Sequence, residues 1–102
     1  MATRKKKMTF RPFDAAEHLR TPEEIALFLA VAIEEAAGDL AVITDALNTV
    51  ARARNMSELA RQAGISREGL YKALSPDGNP SFDLVRRIVE AFGLRLTVTA
   101  AN

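Results

Sequence analysis

The 102-residue sequence contains no cysteine and only one histidine, and it lacks a glycine-rich loop. Without cysteine the chain can form neither disulfides nor thiolate-bound zinc sites. His18 lies far in sequence from any candidate nucleophile, so we interpret it as a surface or packing residue. Glu34 and Glu35 are neighbours and point to different sides of a helix, which argues against a catalytic carboxylate pair. No motif has metal-ligand or phosphate-loop spacing. We therefore expect no catalytic residues, no metal and no cofactor.

Long apolar runs are also missing. No stretch approaches the 18 residues that suggest a membrane span. The first eight residues are basic but lack the apolar core of a signal peptide, so we expect a cytoplasmic protein. Hydrophobic residues make up 48% of the chain and charged residues 26%, as in ordinary globular domains. We predict a disordered basic tail over residues 1–8 and a single domain over residues 9–102.

Charge is distributed unevenly along the chain. Residues 13–51 contain eight acidic side chains against a single arginine, Arg20, whereas residues 52–102 contain eight basic and five acidic ones. A basic surface favours binding to nucleic acid phosphates, which the second half can provide. The acidic first half suits a basic partner protein or is simply a solvated helical face, and the sequence supports both interpretations equally.

The first half is predicted to be helical. A short helix over residues 14–19 precedes the strong helix start Thr21-Pro22-Glu23-Glu24, which combines a cap, an early proline and an acidic third position. That helix should end at Gly38, and Asp39 should cap another one that runs to about Arg54. The residues expected to face inward in these two helices are Ile25, Phe28, Leu29, Ala32, Ile33, Ala36, Leu40, Ile43, Ala46, Leu47 and Val50.

Residues 56–75 contain two short helical patterns joined by a turn. Gly64 supplies the positive φ that ends the first helix, and Ser66 can cap the second. Asn55 can cap the first helix, with Glu58 at the third position. Leu70 and Leu74 should face inward. This pattern predicts a helix-turn-helix, a motif whose second helix enters a DNA major groove.

Beyond a turn-rich loop, Ser81 is predicted to cap a further helix that Gly93 ends. The apolar period then changes from 3.6 to 2, because Leu94, Leu96 and Val98 alternate with polar residues. We therefore predict a short strand within residues 94–99. A lone strand needs a partner edge, which a second copy, residues 9–13 or another protein could supply.

Two stretches carry a family resemblance, residues 51–96 and, within them, the pattern SREGLYKALS-x-x-GNPSF. The chain resembles the Cro/phage-repressor class and, more narrowly, the "probable addiction module antidote" family of HigA-like antitoxins, over about residues 10–98. The resemblance implies an all-α, lambda-repressor-like domain of five helices, with an extra N-terminal helix. Residues 9–38 would form an N-terminal extension and residues 39–93 the repressor-like helices. The basic start, residues 1–7, departs from the family pattern.

The resemblance also implies a function. Such proteins are antitoxins of type II toxin–antitoxin modules that neutralise a small basic toxin, similar to the RelE/ParE-fold ribonucleases, and repress their own operon. One recognition helix covers few base pairs, so we expect a homodimer on a palindromic DNA operator. A stand-alone phage-type transcriptional regulator without a toxin is the alternative. A protein-interaction module without DNA binding is a further one.

The outward side of the second motif helix supplies the candidate DNA base contacts. Arginine can pair with guanine and glutamate with cytosine, whereas tyrosine can touch a thymine methyl or a phosphate. These base-contact candidates are Ser66, Arg67, Glu68, Tyr71, Lys72 and Ser75. The phosphate-contact candidates are Asn55, Ser57, Arg61, Gln62 and Asn79. Arg52 and Arg54 suit either phosphate contacts or pairing with Glu58. Arg86 and Arg87 suit either phosphate contacts or simple exposure to solvent.

Overall fold

The structure, a computed structural model, describes residues 18–101. Side-chain caps begin the five helices that lie wholly within this range. The helices are α1 (Pro22–Ala36), α2 (Leu40–Ala53), α3 (Met56–Ala63), α4 (Arg67–Ala73) and α5 (Phe82–Ala91). In each case a side-chain oxygen of the preceding residue accepts an N–H of the first turn. These capping residues, all of them predicted, are Thr21, Asp39, Asn55, Ser66 and Ser81.

The helices pack around one apolar core. α1 and α2 form a hairpin across a short loop, and α3 packs against α2, α4 and α5. The core extends from Leu19 to Phe92, and Ile25, Leu70 and Ile88 have no exposed surface. Burying such side chains stabilises the fold by about 1.5–3 kcal/mol each. The predicted all-α class is therefore confirmed for the described residues.

The start of α1 lies beside the ends of two other helices. Arg54 Nη1 donates to the carbonyl oxygen of Arg20 at 3.1 Å, which ties the end of α2 to the start of α1. A Cβ atom added to Gly93, just after α5, would lie 3.1 Å from Pro22 Cγ. Because α1 has 15 residues, its other end is about 20 Å away. The loop of the α1–α2 hairpin therefore lies far from the α2–α3 junction.

The predicted strand over residues 94–99 is wrong. Residues 94–101 form no regular secondary structure. Leu94 belongs to the end of α5, because its N–H donates to the carbonyl oxygen of Val89 at 3.1 Å and its side chain packs on the core. Leu96 and Val98 are exposed, Val98 at 92%. No neighbouring strand is available within residues 18–101 to accept its backbone hydrogen bonds, so the alternating pattern alone does not produce a strand.

Two residues predicted to face inward do not. Ile33 and Leu40 are each 51% exposed, although they fit the apolar periodicity of α1 and α2. Both lie next to the hairpin loop, beyond the reach of the core. The predicted tail over residues 1–8, residues 9–13 and residues 14–17 of the predicted short helix lie outside the described residues, and His18 is helical as predicted.

Candidate nucleic-acid interface

The turn between α3 and α4 has the predicted backbone geometry. Gly64 has a φ of 78°, a left-handed conformation that favours glycine, and it ends α3. The N–H of Ile65 donates back to the carbonyl oxygen of Ala60 at 3.0 Å, which closes the turn. Ser66 Oγ then accepts the N–H of Gly69 at 2.9 Å and begins α4. Three residues therefore connect two short helices.

The orientation of α4 is fixed by its leucines. Leu70 and Leu74 are buried, and Ala60 of α3 is buried where the two helices meet. The candidate base contacts accordingly lie on the accessible side. Ser66, Arg67, Glu68 and Lys72 are exposed, and Tyr71 and Ser75 are half-buried.

Two of these candidates already bond to the backbone. The Ser66 hydroxyl oxygen caps α4, as described above. The Ser75 hydroxyl donates to the carbonyl oxygen of Lys72 at 2.8 Å. Ser75 has therefore committed its only donor, whereas Ser66 retains one. Arg67, Glu68 and Lys72 are better placed to present polar groups outward.

Tyr71 brings two arginines together. The guanidinium carbon of Arg67 lies 5.1 Å from the centre of the Tyr71 ring, and that of Arg52, at the end of α2, lies 5.8 Å from it. Arg67 Nη2 also donates to Tyr71 Oη at 3.3 Å. The sequence left the role of Arg52 open, because Arg52 and Tyr71 are distant along the chain and no local pattern joins them.

Glu58 engages two of the predicted phosphate contacts. Its carboxylate forms an ion pair with Arg61 and accepts a hydrogen bond from Gln62 Nε2 at 3.1 Å. Asn55 Oδ1 caps α3 by accepting the N–H of Glu58 at 3.0 Å. Ser57 and Asn79 are exposed. Glu58 therefore pairs with Arg61 and Gln62, and the alternative in which it pairs with Arg52 or Arg54 is wrong.

Arg86 and Arg87 are more than solvated side chains. Arg86 bonds to Asp83 and Glu90, at 2.6 and 3.1 Å. Arg87 bonds to Asp83 at 2.8 Å and also donates to the carbonyl oxygen of Ala63 at 2.8 Å, where α3 ends. Hydrogen bonds donated by the two arginines hold the pKa of the Asp83 carboxyl below its ordinary value, and the bonds that Arg86 donates to Asp83 and Glu90 raise the pKa of Arg86. α5 therefore supports the turn through Arg87.

The loop after α4 requires a glycine at position 78. A Cβ atom there would lie 2.1 Å from the carbonyl oxygen of Ala73, a distance that backbone cannot accommodate without moving. The N–H of Gly78 also donates to the carbonyl oxygen of Ser75 at 2.8 Å. This close approach explains the glycine of the GNPSF pattern. It also places Asn79 beside the end of α4.

Residues 9–100 match the model of a family described as "Probable addiction module antidote protein". The chain belongs to this family. A protein of Haemophilus influenzae, described as "Uncharacterized protein", is 51% identical over 88 residues, covering 86% of this chain and 89% of that protein. No solved structure matches the chain. The predicted membership of the antidote family is thus confirmed, and the assignment to HigA-like proteins of the Cro/phage-repressor class stays a prediction.

An antidote protein has a toxin partner. A second surface of this chain combines exposed apolar and acidic side chains. The hairpin tip, which we define as residues 33–42, exposes three large aliphatic side chains and three acidic ones. These residues are Ile33, Leu40, Val42, Glu34, Glu35 and Asp39. Within the described part of the chain, none of the three carboxylates has an ion-pair partner within 4.0 Å. Exposed aliphatic side chains beside uncompensated charge are typical of binding surfaces.

Neither a metal site nor a membrane span is found in this antidote protein over residues 18–101. No three histidine or acidic side chains in that range are grouped closely enough to hold a metal ion. Within the same residues, no helix combines the length and apolar composition that crossing a bilayer requires. The side chain of His18 is exposed.

Proposed function

We propose that this antidote protein neutralises a small basic toxin of the RelE/ParE type and represses its own operon by binding a DNA operator as a homodimer. The observation that carries the proposal is the outward side of α4, where Arg67 and Lys72 are exposed and have no carboxylate partner among the described residues. Both proposed activities are binding activities, which need no catalytic group. Since operator DNA lies in the cytoplasm, the proposal implies a cytoplasmic protein.

The proposed DNA contact uses α4 as a recognition helix. Leu70 and Leu74 attach one side of α4 to the core, so the opposite side is held at a fixed angle to the rest of the molecule. Arg67 is the first residue of α4, and the N-terminal residues of a recognition helix are the ones that reach base edges. Arg67 would pair with a guanine, while Glu68 and Lys72 would contact neighbouring bases.

The length of α4 supports a dimer. Seven residues span about 10 Å, enough for only a few base pairs of one major groove. Two copies related by a two-fold axis would read two half-sites, about 34 Å apart or a multiple of that distance. The proposal therefore predicts an inverted repeat in the DNA upstream of the operon.

The proposed toxin contact uses the hairpin tip. Its three carboxylates would attract a basic protein and speed encounter, and its three aliphatic side chains would add area that loses water on binding. Leu40 and Arg52 are twelve residues apart on α2, about 18 Å. Charges that far apart are largely screened at about 0.1 M salt, where the Debye length is about 10 Å. The protein can therefore bind toxin and DNA with little mutual interference.

Two measurements on the full chain test the proposal. A mobility-shift assay with DNA from upstream of its own gene should give a specific complex that an excess of unrelated DNA does not remove. Co-expression with the product of the neighbouring gene, the proposed toxin, should restore the growth of cells that this product inhibits. It should also yield a complex of the two proteins. Specific DNA binding without any toxin complex would favour a stand-alone regulator. A toxin complex without DNA binding would leave only the neutralising role.

A further inference from the structure

Five of the six arginines of residues 52–91 fall into two groups, and the sixth, Arg54, donates to the carbonyl oxygen of Arg20. Three of them, Arg61, Arg86 and Arg87, form ion pairs with carboxylates on their own helices. Arg52 and Arg67 have no carboxylate within 4.0 Å among residues 18–101 and lie against the ring of Tyr71 instead. Their positive charge is not compensated, although both lie within 5.8 Å of one ring centre.

Contact with the ring face prepares both guanidinium groups to bind an anion. A guanidinium that lies over an aromatic face keeps its N–H donors, which lie in its own plane, available for other groups. The contact also restricts a long flexible side chain, so less conformational entropy is lost when a ligand binds. Arg67 uses one donor on Tyr71 Oη and retains the other four.

The two arginines come from different elements. Arg52 lies in the last turn of α2, three residues before the cap of α3, whereas Arg67 is the first residue of α4. Neither guanidinium has a carboxylate within 4.0 Å among residues 18–101, so each can pair with an anion bound beside it. DNA presents such anions at regular spacing along each strand, next to the base edges.

We propose that Arg52 binds one backbone phosphate of the operator beside the base pair that Arg67 contacts, and that Tyr71 is a positioning residue for both arginines. This inference rests on the proposed DNA binding and deepens it. It assigns Arg52 of α2, for which the sequence left a phosphate contact open, to one particular phosphate. It also reassigns Tyr71 from a base contact to an aromatic surface. That surface fixes the spacing between Arg52, whose phosphate contact sets the register on DNA, and Arg67, whose base contact reads the sequence.

The salt dependence of DNA binding tests the role of Arg52. Arg52→Ala should weaken binding to operator and to unrelated DNA by the same factor, because a phosphate contact carries no sequence information. It should also reduce the slope of log K against log salt concentration by about 1. Arg86→Ala is the matched control, since it removes a guanidinium that Asp83 and Glu90 already neutralise. A slope for Arg52→Ala equal to that of the control would overturn the assignment.

A pair of Tyr71 variants tests the positioning role. Tyr71→Phe keeps the aromatic face and loses the hydroxyl, so it should bind operator within about threefold of the wild type and keep its salt slope. Tyr71→Leu loses the face, so its slope should fall as in Arg52→Ala, and its preference for operator over unrelated DNA should fall as well. Thermal melting checks that each variant is folded. An equal loss in both variants would mean that the hydroxyl itself contacts DNA and would overturn the positioning role.

Replacing single phosphates by neutral methylphosphonates locates the contact. One replacement in each half-site should weaken the wild type and leave Arg52→Ala unchanged, which is the signature of a direct pair. If every replacement affects both proteins equally, Arg52 binds no particular phosphate and the proposal fails, while the proposed repressor function stands. A wild-type protein that binds no operator would overturn both together.

Discussion

The α1–α2 hairpin and the α3–α5 segment use their charged residues in different ways. Every ion pair found among residues 18–101 lies between Glu58 and Glu90, within α3 or α5. In the hairpin, carboxylates cap helix starts at Glu24 and Asp39 or are left uncompensated. Backbone N–H groups of Arg20 and Thr21 hold the pKa of Glu24 below its ordinary value, whereas arginine side chains do so for Asp83. The α3–α5 segment thus leaves Arg67 uncompensated at Tyr71, where the end of α2 adds Arg52, and the hairpin leaves negative charge at its tip.

Exposed apolar surface follows the same division. The hairpin exposes four large aliphatic side chains, and the α3–α5 segment exposes one large apolar side chain, Phe82. The four are Leu27, Ile33, Leu40 and Val42. DNA binding needs polar and cationic groups, whereas contact with a protein also gains from apolar burial. This difference therefore favours a protein partner for the hairpin and a nucleic acid partner for the α3–α5 segment.

Charge reversal at the hairpin tip should have the largest effect. Glu34→Lys with Glu35→Lys changes the local charge by four units on exposed positions. Like charges across an interface with a basic toxin would cost several kcal/mol, on the order of a thousandfold in affinity. Operator binding should change little, because the tip lies about 18 Å from Arg52 along α2. The expected variant represses the operon and fails to protect a cell from the toxin.

A matched variant distinguishes an effect of charge at the hairpin tip from an effect of the net charge of the chain. Glu23→Lys with Asp77→Lys makes the same four-unit change at exposed positions outside the tip. We expect it to retain toxin binding, measured by calorimetry or co-purification. If both double variants lose toxin equally, the contact depends on net charge. If neither does, the hairpin tip is a solvated face and the toxin binds elsewhere.

Removal of the Leu70 side chain tests the packing of α4 in the α3–α5 segment. Leu70→Ala should lower the free energy of unfolding by about 2–5 kcal/mol, because it leaves a cavity at a position with 0% exposure. Lys72→Ala, on the outward side of the same helix, should change it by less than about 0.5 kcal/mol. Urea unfolding of the two variants measures both values. The reverse order would mean that the inner and outer sides of α4 are exchanged.

Loss of the Arg67 side chain should have a smaller effect, which should be confined to the affinity for DNA. Arg67→Ala removes an exposed side chain and should cost about 1–3 kcal/mol of operator binding by deleting a base-edge donor. Toxin affinity and unfolding free energy should remain at wild-type values. Titrations against operator and a scrambled duplex separate sequence recognition from general attraction. Equal affinity of variant and wild type for the operator would remove Arg67 from the interface.

The sequence predicted the features that depend on nearby residues. Thr21 and Ser66 cap their helices through bonds that span three residues, and the outward side of α4 followed from the spacing of its leucines. The contacts that were missed join distant positions. Arg87 reaches Ala63 across 24 residues, and Arg52 meets Tyr71 across the α2–α3 boundary. No periodicity encodes such contacts, because they arise only when the helices pack. The strand failed for a related reason, since its existence depends on a partner edge.

A buried hydroxyl in the hairpin provides the smallest expected effect. Thr44 of α2 is 3% exposed, and its Oγ1 has no hydrogen-bond partner among residues 18–101. An unpaired buried hydroxyl costs free energy that valine, with a similar shape, would not. Thr44→Val should therefore raise the free energy of unfolding by about 1 kcal/mol, and the melting temperature by about 4–8 °C.

Thr49→Val in the same helix is the control for that gain. The Thr49 hydroxyl donates to the carbonyl oxygen of Asp45 at 3.0 Å, so its removal deletes an existing bond and should give no comparable increase. Thermal melts of both variants, with and without toxin, complete the comparison. Thr44 is buried beneath the hairpin surface, so the gain should leave toxin affinity unchanged. Destabilisation of Thr44→Val would show that its hydroxyl is bonded in solution and that the buried polar groups of the hairpin are as fully hydrogen-bonded as those of the α3–α5 segment.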